Sequence, residues 1–114
     1  MSLPQVSISG RNFIVNGQPF MFRGTNIQLI GLHHQESGCQ AINAATFNEL
    51  QSWKVNIIRP WFNLEMASPS FGSWNQQFFN NVALMGDLAE ARNIYVQPSM
   101  CHQYNIGPIF GGTG

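Results

Sequence analysis

Apolar residues in the first 22 positions occur in short runs separated by turn-forming residues. The runs at 13–15 and 20–22 flank Asn16-Gly17, a dipeptide that favours a two-residue hairpin turn because both turn positions need positive φ. Val6 and Ile8 alternate with serines and predict a small strand before the hairpin. This part of the chain is therefore predicted to be a β-hairpin.

Three further short runs, at 23–27, 55–59 and 94–97, have the length of parallel strands, and the second and third contain the Ile and Val residues typical of buried ones. Pro60 and Pro98 come directly after the second and third runs, where each proline would end the strand and its hydrogen-bond ladder. A glycine in the first run permits the close approach of a neighbouring backbone. The pattern predicts three parallel strands.

Two helices are predicted between these strands. Thr46 and Glu49 have the spacing of a capping box at the start of the first helix, although Asn43 is an alternative start. Ser73 and Gln76 have the same spacing at the start of the second helix, and Asn93 suits a left-handed exit from it. The side chains expected to point inward are Phe47, Leu50 and Trp53 in the first helix and Phe78, Val82, Met85, Leu88 and Ala89 in the second.

The predicted strands begin near positions 22, 55 and 94, with a helix between each pair, which is the spacing of a repeated strand–helix unit. Long loops follow the strands and short loops precede them, an asymmetry typical of a TIM barrel, whose site is built from the longer loops. A doubly wound sheet alternates similarly, but no Gly-rich phosphate-binding turn follows any of these strands. We therefore predict an α/β fold that is a partial TIM (β/α)8 barrel, with an N-terminal hairpin, the first three parallel strands and two helices.

The composition narrows the range of ligands. Charged residues make up only 9% of the chain, against about 25% in an average domain, and five basic residues balance five acidic ones. The sequence therefore has no basic stripe for nucleic acid and no charge run for a membrane surface. No apolar run approaches the roughly 20 residues of a membrane helix. Little charge with many Asn, Gln, Ser and Gly residues suits neutral ligands rich in hydroxyl groups.

Arg59 ends the second predicted parallel strand. The carboxyl ends of barrel strands carry the chemistry of the fold, so Arg59 is a candidate site residue. The alternative is a strand-end arginine held by a structural ion pair. Aromatic residues in or next to the loops on this side are candidates for stacking on a ligand, and they are Trp61, Phe62, Trp74 and Tyr104.

With these elements placed, the chain resembles the opening part of clan A glycoside hydrolases, most closely the family 5 endo-mannanase and cellulase group. The resemblance covers nearly the whole chain and rests on the order and spacing of FIVNGQPF (13–20), FRGTN (22–26), TFNEL (46–50), VNIIRPW (55–61) and NIYVQ (93–97). It implies that residues 1–114 are an N-terminal fragment of a single β/α-barrel domain. In that domain, 4–22 would form a lid hairpin over the bottom of the barrel and 22–114 the first barrel units.

The resemblance implies a glycoside hydrolase that cleaves β-linked polysaccharide of the mannan or cellulose type. Arg59 matches the strand-end arginine that keeps the nucleophilic carboxylate ionised, since a nearby guanidinium lowers the pKa of a carboxylate. His102, or the adjacent Cys101, matches the histidine that many members place after the third strand, and an ordinary loop histidine is the alternative. Asn26 is implied to contact substrate, and Trp61 and Phe62 to lie where the apolar face of a sugar ring can stack.

The chain departs from the family pattern in its carboxylates. The family's acid/base glutamate follows the fourth strand and its nucleophile ends the seventh. Retaining hydrolysis needs two carboxyl groups about 5–5.5 Å apart, and only Glu36 and Glu65 are predicted in loops on the candidate face. We therefore expect the 114-residue chain alone to be inactive and to need self-association or a missing C-terminal segment. The alternatives are a non-catalytic carbohydrate-binding remnant and an assembly unit that completes a barrel with other chains.

No cofactor or metal is predicted, and the expected partner is a polysaccharide or oligosaccharide rather than nucleic acid or a membrane. A disulfide between Cys39 and Cys101 is geometrically possible, because both lie in predicted loops on the same face. The sequence shows no signal peptide, and secretion is implied only if the parent protein resembles its family. No standard zinc spacing occurs among the residues that could bind a metal, which are His33, His34, Glu36, Cys39, Cys101 and His102.

Overall fold

The structure is a computed structural model that describes residues 3–33, 38–70 and 72–99. Within these ranges the chain forms an antiparallel sheet, a parallel sheet and three helices, so the fold class is α/β as predicted. No helix in the described ranges is long and apolar enough to cross a membrane. In chain order the elements are β1 Val6–Ser9, β2 Asn12–Val15, β3 Gln18–Phe20, β4 Gly24–Ile27, α1 Ala44–Ser52, β5 Ile57–Pro60, α2 Leu64–Ala67, α3 Gln76–Glu90 and β6 Tyr95–Val96.

The antiparallel sheet is the predicted hairpin with one strand added, in the order β1-β2-β3. Asn16 and Gly17 have φ values of 52° and 77°, so the two-residue turn is confirmed. The register places Phe13 opposite Phe20. The third strand ends at Phe20, two residues before the end of the predicted apolar run.

The hairpin is joined to the amino ends of the parallel strands by aromatic rings and one asparagine. The Phe22 ring centroid lies 4.9 Å from that of Phe13 and 6.0 Å from that of Tyr95 on β6. The side chain of Asn56 donates from Nδ2 to Met21 O at 2.8 Å and accepts from Arg23 N at 2.7 Å. Because Asn56 immediately precedes β5, these bonds tie the exit of the hairpin to the start of that strand.

The parallel sheet has the predicted three strands, in the order β4-β5-β6. Gly24 lies opposite Ile57, and a Cβ added at Gly24 would be 2.7 Å from Ile57 O. The predicted close approach of the backbone at this glycine is therefore confirmed. Side chains alternate between the two sheet faces, so Ile58 and Pro60 are buried while Arg59 is exposed on the opposite face.

Among the residues that the structure describes, the hydrophobic core lies on one face of this sheet, under α1 and α3. Parallel sheets are normally covered on both faces, and in the described part of the chain the face with Ile57 and Arg59 has no helix packed on it. Two core side chains, Leu29 and Leu32, come from the long segment after β4, where the sequence pattern predicts only a loop. The buried core comprises Ile27, Leu29, Leu32, Phe47, Leu50, Ile58, Phe62, Ala67, Phe78, Met85, Ala89 and Ile94.

The first helix begins at the alternative start and not at the predicted capping box. Asn43 is the N-cap, and its side chain accepts a hydrogen bond from Thr46 N at 3.0 Å. The prediction that Trp53 points inward is wrong, because it is 62% exposed just past the end of the helix. Steps of three residues fall short of a turn by about 60° each, so Trp53 has drifted about 120° from the direction of Phe47.

The second predicted helix is α3, and its inward stripe is confirmed by the burial of Phe78, Met85 and Ala89. The predicted capping box at its start is wrong. Asn75 is the N-cap and accepts from Gln77 N at 3.1 Å, because an asparagine directly before the helix reaches the first free N–H groups. Asn93 has a φ of 57°, which confirms the left-handed exit. The short helix α2 was not predicted from the sequence.

Candidate functional site

Arg59 and Asn26 lie opposite each other on neighbouring strands, on the sheet face that carries no helix within the described ranges. Arg59 Nη1 donates to Asn26 Oδ1 at 3.4 Å, which is a long hydrogen bond. The two side chains line a cleft of about 470 Å³, to which Gly24, Ile57 and Gln97 also contribute. The register of β4 and β5 therefore brings together two of the predicted site residues.

The Arg59 guanidinium is available for a ligand. Among the described residues, the Arg59 side chain donates to Asn26 and forms no ion pair with a carboxylate. The alternative interpretation, in which a structural ion pair holds Arg59, therefore has no support among the described residues. A planar guanidinium with free N–H groups suits a carboxylate, which it binds with two parallel hydrogen bonds.

The carboxyl ends of the three parallel strands are held together by backbone hydrogen bonds. Trp61 N donates to Ile27 O at 3.2 Å, Ser99 N donates to Pro60 O at 2.9 Å, and Phe62 N donates to Ser99 O at 3.0 Å. These bonds continue the sheet past the last strand residues. They fix the backbone next to Arg59, which limits how far the candidate site can rearrange.

Trp61 lies at this carboxyl end and is half-buried. Its ring centroid is 6.1 Å from that of His33. Trp61 and Asn26 line a second cleft of about 370 Å³, on the outer side of β4, together with Trp53. Because Asn26 lines both clefts, they adjoin at the edge strand β4.

The other two described platform candidates differ in burial. Phe62 is 4% exposed and packs edge-on against Phe78 at 5.5 Å, so it belongs to the core. This placement corrects the prediction that Phe62 offers a face to a sugar ring. Trp74 is 70% exposed, with its ring 6.0 Å from that of Phe79, and it has an open apolar face.

Several predicted residues lie outside the described ranges. They are His102 and Tyr104 of the predicted site, Glu36 of the possible carboxylate pair, and Cys101 of the possible disulfide. Glu65 lies on the short helix α2, which corrects its assignment to a loop. Among the residues that the structure describes, no group of three or more His, Cys, Asp or Glu could hold a metal ion.

Sequence reasoning missed a buried asparagine next to this site. Asn63 is 2% exposed, and its Oδ1 and Nδ2 have no hydrogen-bond partner among the described residues. Its backbone N donates to Leu32 O at 2.9 Å, which ties the segment after β5 to the segment after β4. No local signal in the sequence marks this burial, because Asn63 precedes α2 but its side chain makes no capping hydrogen bond.

Comparison of the sequence with protein-family models and with curated proteins gives no match. The functional hypothesis therefore rests on the motifs of the sequence and on the geometry of Arg59, Asn26 and Trp61.

Proposed function

We propose that this chain is the N-terminal part of a TIM-barrel glycoside hydrolase that cleaves β-linked polysaccharide of the mannan or cellulose type. The observation that carries the proposal is the position of Arg59, near the carboxyl end of a parallel strand, beside Asn26 and on the uncovered sheet face. In a closed barrel the helices lie outside and this face lines the interior.

The arrangement of the elements supports the barrel. Three parallel strands lie in chain order with α1 and α3 on the same face, as successive right-handed strand–helix–strand units require. The hairpin lies at the amino ends of these strands, which leaves the carboxyl ends free for a site. The uncovered face with Ile57 and Arg59 would then be closed by strands from outside the described residues.

The proposed chemistry assigns Arg59 to positioning a nucleophilic carboxylate supplied by such a segment. A guanidinium beside this carboxylate favours its ionised form and fixes its orientation. Asn26 holds the guanidinium from one side and offers its amide to a substrate hydroxyl. Trp61 provides an aromatic surface at the same end of the sheet, and His102 and Tyr104 are proposed to add a proton-transfer group and a further platform.

The test uses the protein isolated from its source at its natural length, with its mass established by intact mass spectrometry. Hydrolysis of soluble β-1,4-mannan and β-1,4-glucan is measured for the wild type, Arg59→Lys and Arg59→Ala. We expect Arg59→Ala to lower kcat more than it raises KM, because the guanidinium acts on charge that changes along the reaction. Arg59→Lys keeps the charge but loses the two-point contact, and it should fall in between.

Two results would reject this proposal. Wild-type kcat in folded Arg59→Ala protein would remove Arg59 from the site. Absence of hydrolysis of either polysaccharide by the natural-length protein would reject the hydrolase itself.

A non-catalytic carbohydrate-binding protein is the second candidate, and the exposed ring of Trp74 beside Phe79 favours it. Stacking on an open aromatic face needs no carboxylate pair. This candidate predicts that the 114-residue chain binds mannan or glucan oligosaccharides without cleaving them, and that Trp74→Ala abolishes the binding. Isothermal titration calorimetry of the two proteins separates it from the hydrolase.

A further inference from the structure

The start of α3 presents two aromatic rings to solvent on the side turned away from the sheet. Trp74, just before the helix, is 70% exposed, and Phe79 is 40% exposed. Their ring centroids lie 6.0 Å apart and their planes are inclined by 57°, so the two rings form one open aromatic corner. Phe79 also packs edge-on against the buried Phe78 at 5.4 Å. The aromatic corner is therefore anchored on the core and needs little ordering before it binds a ligand.

Two amide side chains lie beside the aromatic corner and form an exposed amide pair. Gln76 Nε2 donates to Asn80 Oδ1 at 3.0 Å, and both residues are exposed. This bond leaves Gln76 Oε1 as an acceptor and the Asn80 Nδ2 group as a donor. Gln76, Phe79 and Asn80 fall within about 100° of one another around the helix axis. An acceptor, a donor and an aromatic surface are thus presented on one face of the helix.

A second amide pair on α3 holds the fold together instead. Gln77 Nε2 donates to Asn81 Oδ1 at 3.0 Å, and Asn81 Nδ2 donates onward to Gly31 O at 3.4 Å. This pair lies on the flank of the helix, against the segment after β4. It provides a matched control for the exposed amide pair within the same helix.

The chemistry of the outer surface of α3 favours a neutral ligand rich in hydroxyl groups. The sequence between Glu65 and Asp87 contains no charged residue, whereas the solvent face of a surface helix commonly carries charges. An aromatic ring stacks on the apolar face of a sugar, and an adjacent acceptor and donor match neighbouring hydroxyl groups, each of which donates and accepts. A stable protein interface buries about 800 Å² on each partner around an apolar centre, and two rings bordered by amides do not supply such a centre.

We propose that the aromatic corner and the exposed amide pair form a saccharide-binding site on the outer surface of α3, which binds one sugar ring of a neutral polysaccharide chain. The site is separate from the candidate cleft, because Arg59 lies on the sheet face opposite α3. In a closed barrel the helices lie outside, so strands that cover Arg59 would leave this surface open. The proposal goes beyond the hydrolase by adding a second place for its polysaccharide, and it rests on the proposed function only for the choice of mannan and glucan.

The test measures binding of the natural-length protein to insoluble β-1,4-mannan and to cellulose by depletion from solution. Every protein carries Arg59→Ala and is assayed in the cold, so that hydrolysis does not consume the polysaccharide. We expect an added Trp74→Ala or Gln76→Ala to weaken binding about 2- to 10-fold, because a stacked ring or a hydrogen bond is lost while the candidate cleft still contacts the polysaccharide. An added Gln77→Ala should leave the affinity unchanged.

Three results would overturn the proposal. Unchanged affinity in the Trp74→Ala protein would exclude the aromatic corner, and equal affinities of the Gln76→Ala and Gln77→Ala proteins would exclude the exposed amide pair. A dimer of the natural-length protein that is lost in Trp74→Ala would assign the surface to a second copy. Circular dichroism checks that each variant is folded, and the comparison of Gln76→Ala with Gln77→Ala decides the matter if Trp74→Ala does not fold.

The binding measurement is independent of the proposed hydrolysis. Binding that depends on Trp74, in a protein whose Arg59 parent cleaves neither polysaccharide, rejects the hydrolase alone. Binding that does not depend on Trp74, in a protein whose Arg59 parent is an active hydrolase, rejects the α3 site alone.

Discussion

Replacing Gly24 by alanine tests the packing that positions the candidate site. The added Cβ would lie 2.5 Å from Ile57 Cγ2 and 2.7 Å from Ile57 O. The methyl group of Ile57 can rotate away, but its carbonyl is part of the backbone of β5. The contact with this oxygen is 0.7 Å short of the 3.4 Å at which ordinary contact begins. The strands β4 and β5 would therefore have to move apart.

The expected effect of Gly24→Ala follows from two opposing contributions. Overpacking of this kind lowers the free energy of unfolding by about 1–3 kcal/mol. Alanine also restricts the unfolded chain, which raises the free energy of unfolding by about 0.4–1 kcal/mol. We expect a net loss of about 1–2 kcal/mol in the free energy of unfolding. The matched control is Gly86→Ala inside α3, where an added Cβ meets nothing within 4 Å. That change should stabilise the protein by about 0.5–1 kcal/mol, because alanine is the better helix former.

Urea unfolding followed by circular dichroism measures both variants against the wild type. Each protein is unfolded at several concentrations, because association would make the apparent stability depend on concentration. A Gly24→Ala protein as stable as the wild type, with an unchanged m-value, would refute the close approach of β4 and β5.

Three further predictions concern the core, the hairpin and the association state. Met85→Asp should cost several kcal/mol, because it places an unpaired charge among buried apolar side chains, whereas Leu84→Asp at the exposed neighbouring position should cost less than about 1 kcal/mol. A thermal melt compares the two, and equal stability would mean that the phase of α3 is wrong. Asn56→Leu removes two side-chain bonds to the backbone and should cost about 1–3 kcal/mol in urea unfolding; no loss would show that these bonds do not hold the hairpin. The isolated 114-residue chain should associate, since the described residues leave one sheet face uncovered, and a monodisperse monomer in sedimentation velocity with a cooperative melt would contradict this.

Local features of the fold could be predicted from the sequence, because their causes lie within a few residues. The turn at Asn16-Gly17 needs only positive φ, and the stripe of α3 needs only helical periodicity over a long element. The helix starts were misassigned because two polar residues close together compete as caps, and both times an asparagine directly before the helix was used. Leu29 and Leu32 were missed since their burial depends on long-range packing, which no local pattern records.

The candidate site was predicted only in part. The position of Arg59 followed from its place at the end of a predicted strand. Its bond to Asn26 depends on the register between two strands, and the two residues are 33 positions apart in the sequence. Phe62 was misplaced although a signal existed, because alternation puts it on the same side as the buried Ile58 and Pro60. The burial of Asn63 could not be predicted, since it results from the contact between the segments after β4 and β5.

The uncovered sheet face of the described residues and the exposed side chain of Trp53 link folding to the proposed chemistry. Under the proposed function Arg59 needs a carboxylate that the described residues do not place beside it, and Trp53 needs a cover that they do not provide. In a closed barrel the strands that bring the carboxylate also complete the sheet beside β4, so one folding event would satisfy both needs. Weak packing at Trp53 would then reduce the population of the closed barrel and lower hydrolysis without altering any group that contacts the substrate. Such a variant would lose activity in proportion to its unfolded fraction and keep its KM, whereas loss of Arg59 would lower kcat in a fully folded protein.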